Sequence, residues 1–149
     1  MCLEQGSQLH ELVQGFRELK RTFHQVVSKQ AEKMGITGIQ FYVLAALREQ
    51  PEMSMSDLAE RVHLGNSTLS GVIDRMEKAG YVERKRSELD RRTVTLHLTD
   101  KGREIERQTN LLYQKAMGRI SEIPQEEITQ LIRTFRSIIN LFETEKEGE

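Results

Sequence analysis

Cysteine is almost missing from this chain, which has Cys2 alone among 149 residues. A single thiol makes no internal disulfide, so the fold must stand on its core, as expected of a protein in a reducing cytoplasm. Tryptophan is absent and there are only two prolines, Pro51 and Pro124, which leaves long stretches free to be helical. No apolar run approaches the ~18 residues a membrane-crossing helix needs. The start, Met-Cys-Leu-Glu-Gln-Gly, lacks the basic and apolar regions of a secretory signal, so none is expected. Gly-rich phosphate loops, nucleophile elbows and Cys-x-x-Cys pairs are missing too. The four histidines, His10, His24, His63 and His97, show no metal-ligand spacing such as His-Glu-x-x-His. Catalysis, a metal and a cofactor are therefore not expected.

What is present is charge and helical period. Hydrophobic residues make up 37% and charged residues 30%, lean for a sphere and suited to an elongated, mainly α protein of one domain. The formal net charge of -1 hides an asymmetry. Residues 53–103 hold 10 Lys+Arg against 8 Asp+Glu, and Arg84, Lys85, Arg86, Arg91 and Arg92 crowd into nine positions. The tail 143–149 is acidic instead. A basic cluster in a near-neutral chain points to a polyanion contact on one surface; the alternative is a solvated hairpin.

The first segment places Leu9, Leu12, Val13, Phe16, Leu19, Phe23, Val26 and Val27 at steps of mostly three and four, one stripe of a long helix over about 7–34. Thr37 is a candidate N-cap for a second helix that ends before Pro51. Ser54-Met55-Ser56-Asp57 reads as a capped start for a short helix burying Leu58, Ala59 and Val62. The turn His63-Leu64-Gly65 should use Gly65 at positive φ. Asn66 or Ser67 should cap the next helix, with Leu69, Val72, Ile73 and Met76 inward and Gly80 as its C′ residue. The period then changes to two. Residues 81–86 and 93–99 read as a hairpin, with Ser87-Glu88-Leu89-Asp90-Arg91-Arg92 as a projecting charged loop. A helix capped by Thr99 or Asp100 should run to about Ile120, with Ile105, Leu112 and Ala116 inward. A last one should begin at Pro124 and carry Ile128, Leu131, Ile132, Phe135, Ile138, Ile139 and Phe142. Such a stripe exceeds what this small domain can cover and predicts a partner chain.

Helix–turn–helix followed by a β-hairpin is a winged-helix order. Asp90-Arg91-Arg92 followed by Leu98-Thr99, with Ser56-Asp57-Leu58-Ala59, Ser67-Thr68-Leu69-Ser70, residues 74–80 and Thr99-Asp100-Lys101-Gly102, resembles the multiple-antibiotic-resistance regulator (MarR) family of bacterial transcription factors. The likeness runs from about Leu9 to Phe142.

The resemblance implies a winged helix–turn–helix lobe over about 37–103, wing 81–99, flanked by dimerisation helices over about 7–34 and 124–146. It implies a homodimeric, ligand-responsive repressor that binds an inverted repeat in double-stranded DNA. On the reading helix, Ser67, Thr68, Ser70, Gly71 and Arg75 would meet DNA, the small polar residues allowing close approach to base edges. Gly71 costs about 1 kcal/mol in a helix relative to Ala, which DNA approach or close helix packing would each explain. Arg84, Lys85, Arg86, Arg91 and Arg92 would contact DNA from the wing, with Asp90 orienting an arginine through a charge-assisted hydrogen bond.

A small anionic or aromatic effector would enter a cleft with Phe16, Phe23, Phe41 and Tyr42 as candidate lining, each of which could equally be core. Some relatives carry a reactive thiol on the first helix; Cys2 precedes that helix, so an inert thiol is expected. The competing functions are a helical protein–protein adaptor that uses its winged helix without DNA, and a small-molecule storage or resistance protein.

Overall fold

The computed structural model describes residues 2–144, with side chains from residue 6 onward. Six α-helices and three short strands follow in the order α1 (Cys2–Lys33), α2 (Gly38–Glu49), β1 (Met53–Ser54), α3 (Met55–Arg61), α4 (Asn66–Lys78), β2 (Val82–Arg86), β3 (Val94–Leu98), α5 (Asp100–Met117) and α6 (Gln125–Glu143). A 3₁₀ turn, Gly118–Glu122, separates the last two helices, so α5 stops at Met117 rather than at Ile120. The chain forms two compact units, Met1–Gln114 and Lys115–Glu149.

The core of the first unit gathers one face of every element. Leu44 and Leu47 come from α2, Leu58 from α3, Leu69, Ile73 and Met76 from α4, and Leu96 from β3; all are 0–1% exposed. Val27 and Ala31 bring in only the end of α1. Nearer its start, Leu9, Leu12, Val13 and Leu19 stay 39–62% exposed. On α4 the expected stripe Leu69, Val72, Ile73 and Met76 is buried throughout.

Local chemistry sets the element ends. Thr37 Oγ1 accepts from the Gln40 amide at 3.2 Å, and the Gln40 side chain accepts from the Thr37 amide at 3.0 Å. This reciprocal pair satisfies two orphan donors of α2. Ser54 Oγ accepts from the Asp57 amide at 3.1 Å, as its spacing predicts. Ser54 also ends β1, which pairs antiparallel with β3 through Met53↔Leu96 and Ser54↔Thr95. That third strand, giving the order β1-β3-β2, is absent from the sequence reading because two residues carry no readable period.

Two caps differ from expectation. The N-cap of α4 is Gly65, without a side-chain hydrogen bond, rather than Asn66 or Ser67. The positive φ after α3 belongs to His63 at 55°, while Gly65 is extended at -68°. His63 closes α3 through its own amide to Glu60 O and Leu64 N to Ala59 O, at 3.2 and 2.9 Å. At the other end of α4, Gly80 sits at φ 79° and Tyr81 N returns to Met76 O at 2.9 Å, the expected C-terminal lock.

The Thr99-Asp100-Lys101-Gly102 segment fastens the wing to the helices. Thr99 Oγ1 donates to Gly80 O at 2.5 Å and accepts from Gly102 N at 3.0 Å, while Thr99 N donates to Tyr81 O at 3.1 Å. A Cβ at Gly102 would stand 2.0 Å from Tyr81 O, a backbone atom that cannot swing aside. Gly102→Ala should therefore lower stability by about 1–3 kcal/mol in urea unfolding. Gly71→Ala, where a Cβ meets nothing within 4 Å, should raise it by up to about 1 kcal/mol. Equal effects of the two alanines would contradict the close approach at Gly102.

One acidic side chain is built into this interior. Glu106 on α5 is 2% exposed, with Arg48 Nε 3.0 Å from its Oε1, yet that oxygen receives no well-directed hydrogen bond. Burial pushes its carboxyl above the usual range more than Arg48 pulls it down, and Glu49 adds to the rise.

In the second unit, α6 starts after Pro124 and carries the expected stripe. Leu131, Ile132, Ile139 and Phe142 are 44–66% exposed, and Ile128, Phe135 and Ile138 are half-buried. Helix α1 begins at Cys2 rather than near residue 7, so Cys2 does not precede it as expected; the Cys2 side chain and residues 145–149 lie outside the described residues.

Candidate nucleic-acid interface

The burial of Leu69, Val72, Ile73 and Met76 decides which face of α4 looks outward. With 3.6 residues per turn, Ser67, Gly71, Asp74 and Lys78 lie opposite the core stripe. Thr68 and Arg75 flank them on one side, Ser70 and Glu77 on the other. Ser67, Thr68 and Arg75 are exposed, and Ser70 and Gly71 half-buried. Nothing among the described residues approaches a Cβ at Gly71, so close helix packing does not explain that glycine. The free amides at the start of α4 add the positive end of its dipole to this face.

The wing is a regular antiparallel hairpin from Val82↔Leu98 to Arg86↔Val94. Its tip is tied by short-range bonds. Ser87 N donates to Thr93 O at 2.8 Å, Leu89 N to Ser87 Oγ at 3.3 Å, and Thr93 N to Asp90 O at 2.9 Å. Asp90 Oδ1 accepts from the Arg92 amide at 3.0 Å, and Thr93 Oγ1 donates to Oδ2 at 3.4 Å. Asp90 thus shapes the loop through Arg92's backbone, whereas the sequence assigned it to an arginine side chain. A short carboxylate reaches the amide two residues on, which is the ordinary Asx turn.

The basic residues fall into three groups. Arg86, Arg91 and Arg92 are exposed and make no ion pair among the described residues, as does Arg75 on α4. Lys85 Nζ lies 2.9 Å from Glu83 Oε1, an exposed pair that costs little to open. Arg84 differs from its expected role: its guanidinium is engaged by Asp74, at 2.8 Å, and by Glu77. No sequence spacing links 84 to 74 and 77, since the three meet only through the turn at Gly80.

A second feature is a groove of about 910 Å³ lined by α1, α2 and the turn after α3. Arg17, Lys20, Arg21 and Arg61 line it with His24 and His63, over a floor that includes Ile39, Ala45, Val62 and Leu64; Glu49, bonded to Arg61, is its one acid. Tyr42 lines it, stacked 6.2 Å from His24, and burial raises its phenol, with Tyr113 adding to the rise. Phe16, Phe23 and Phe41 do not line it. Phe41 is 4% exposed in the core, its ring 5.9 Å from Tyr113. The sequence signal for the groove was cationic: 17, 20, 21 and 24 follow helical steps on the polar side of α1.

A short capped helix, a tight turn, an outward-facing reading helix and a basic hairpin define the winged helix–turn–helix class. Residues 36–94 match the MarR family profile. The chain is 30% identical over 131 residues to the HTH-type transcriptional regulator MgrA of Staphylococcus aureus, covering 88% of this chain and 86% of that protein. It superposes on AbsC, a MarR family transcriptional regulator from Streptomyces coelicolor, with TM-score 0.79 at 28% identity, covering 91% and 94% of the two chains. Overoxidized AbfR bound to DNA matches with TM-score 0.70 at 25% identity, covering 95% and 99%. The chain belongs to the MarR family of transcriptional regulators.

Proposed function

We propose that this protein is a cytoplasmic homodimeric repressor that binds an inverted-repeat operator without catalysing a reaction. Helix α4 enters the major groove, and the wing grips the neighbouring backbone and minor groove. The observation that carries this reading is the pairing of a reading face open at Gly71 with an adjacent wing whose Arg86, Arg91 and Arg92 have no internal ion-pair partner among the described residues. An adaptor surface has no need of unneutralised arginines at a hairpin tip, whereas a narrow minor groove attracts them. The relative AbfR, crystallised on DNA, supports the same use of the fold.

The exposed stripes of α1 and α6 are the surfaces that a second copy would cover, making these the dimerisation helices. The groove favours an amphipathic anion as effector, because four cations face one acid above an apolar floor. Its binding would release DNA by favouring dimers with wrongly spaced reading helices.

The test is a titration of the protein against a genomic fragment selected by its own binding. Arg91→Ala and Arg92→Ala should each weaken binding by about 1–3 kcal/mol, roughly five- to 150-fold. Thermal stability should stay put, since both side chains are exposed. If both variants bind the fragment as tightly as the parent, the wing does not meet DNA.

A further inference from the structure

Arg84 stands apart from the other wing cations. It occupies the middle of β2, opposite Leu96, and its side chain is 30% exposed. Nη2 lies 2.8 Å from Asp74 Oδ1, and Nη1 hydrogen-bonds Glu77 Oε2. Asp74 and Glu77 are one helical turn apart on α4, on the side that meets the wing. Spanning two carboxylates at once needs the planar fork of a guanidinium; an ammonium is a single point charge. Among the described residues these are the only side-chain ion pairs joining α4 to the hairpin. The rest of the attachment is apolar packing of Val82, Leu96 and Leu98 in the core, the pairing of β1 with β3, and Thr99 on Gly80 O.

We infer that Arg84 is a positioning residue: it brackets Asp74 and Glu77, fixing the angle of the wing to the reading helix, and contributes to DNA binding through that bracket rather than through a phosphate. The inference rests on the DNA-binding reading above. Two consequences follow from the placement of the charges. Asp74 lies on the outward face of α4, where an uncompensated carboxylate would repel the duplex; Arg84 neutralises it. The bracket also sets the distance between the two parts of the protein that must enter adjacent grooves together, so the free protein need not order them on binding.

The experiment measures affinity against salt, and hydroxyl-radical protection of the selected fragment, for Arg84→Ala, Arg84→Lys and the double variant Asp74→Asn/Glu77→Gln. Arg84→Ala should weaken binding about tenfold or more. The slope of log affinity against log salt should fall only in step with the wing contacts that are lost. Protection by the wing should disappear while protection by α4 remains. Lysine should not rescue.

The double variant should also weaken binding and lose wing protection, although it removes two negative charges beside a polyanion; it stays informative if Arg84→Ala fails to fold. A salt slope lowered by about one in Arg84→Ala, with wing protection intact, would make Arg84 a phosphate contact and overturn the bracket. Tighter binding by the double variant, with wing protection intact, would overturn it as well. A parent protein that gives no wing protection, with Arg91→Ala and Arg92→Ala silent, would overturn the DNA-binding reading and the bracket with it. Silent Arg84 variants beside weakened Arg91 and Arg92 variants would overturn the bracket alone.

Discussion

Gly71→Glu should abolish operator binding while the protein stays folded. The position lies on the outward face of α4, with nothing within 4 Å of a Cβ, so a side chain can leave the backbone there without a clash. Glutamate is also a better helix former than glycine, and thermal stability should hold or rise slightly. Against DNA the same side chain adds bulk where the backbone must approach base edges, and a negative charge where phosphates surround it. Juxtaposed like charges cost several kcal/mol, so affinity should fall by roughly a thousandfold or more. Gly71→Ala should lose far less. A folded Gly71→Glu variant with parental affinity would show that this face of α4 never meets the duplex.

The second large effect concerns assembly. Ile132 and Ile139 sit seven residues apart on one side of α6, 46% and 53% exposed in the single chain. Burying such a side chain contributes roughly 1.5–3 kcal/mol, which a dimer recovers and a monomer forgoes. The double variant Ile132→Asp/Ile139→Asp should sediment as a monomer at micromolar concentration, where the parent should sediment as a dimer. Its DNA affinity should drop by about 10²–10⁴-fold, because the two half-sites no longer bind as one event. The first unit draws its core from α1 to α5 and should keep its folding transition. A parent that is itself a stable monomer would end the dimer proposal.

Both effects concern parts that were readable before any coordinates. The α4 stripe of Leu69, Val72, Ile73 and Met76 is a strong period in a short window, so its outward face follows by subtraction. Thr37, Ser54 and Gly80 announced element ends because each does its work within a few residues. What escaped the sequence depends on contacts between distant segments or on strain. The Arg84 bracket joins residues brought together by a turn, and β1 exists only because β3 lies beside it. His63 took the positive φ assigned to Gly65, since the return bond from Leu64 to Ala59 sets that turn one residue pair earlier than composition suggests. Aromatics were a poor guide to the groove lined by α1, α2 and the turn after α3. Phe41 faces the core while its neighbour Tyr42 faces the groove, and one helical step decides between them.

The central claim is that two copies place two reading helices and two wings on an inverted repeat. The most direct measurement is a titration of the full-length protein, at fixed salt, against the selected fragment carrying both half-sites and against a duplex carrying one. Half-sites should lie one helical turn or a multiple of it apart. The account predicts one dimer on the full site, at least about a hundredfold tighter than on the half-site. It also predicts that the advantage vanishes when five base pairs inserted between the half-sites turn them to opposite faces of the duplex. Equal affinity for the full and half-sites, or indifference to the insertion, would contradict it.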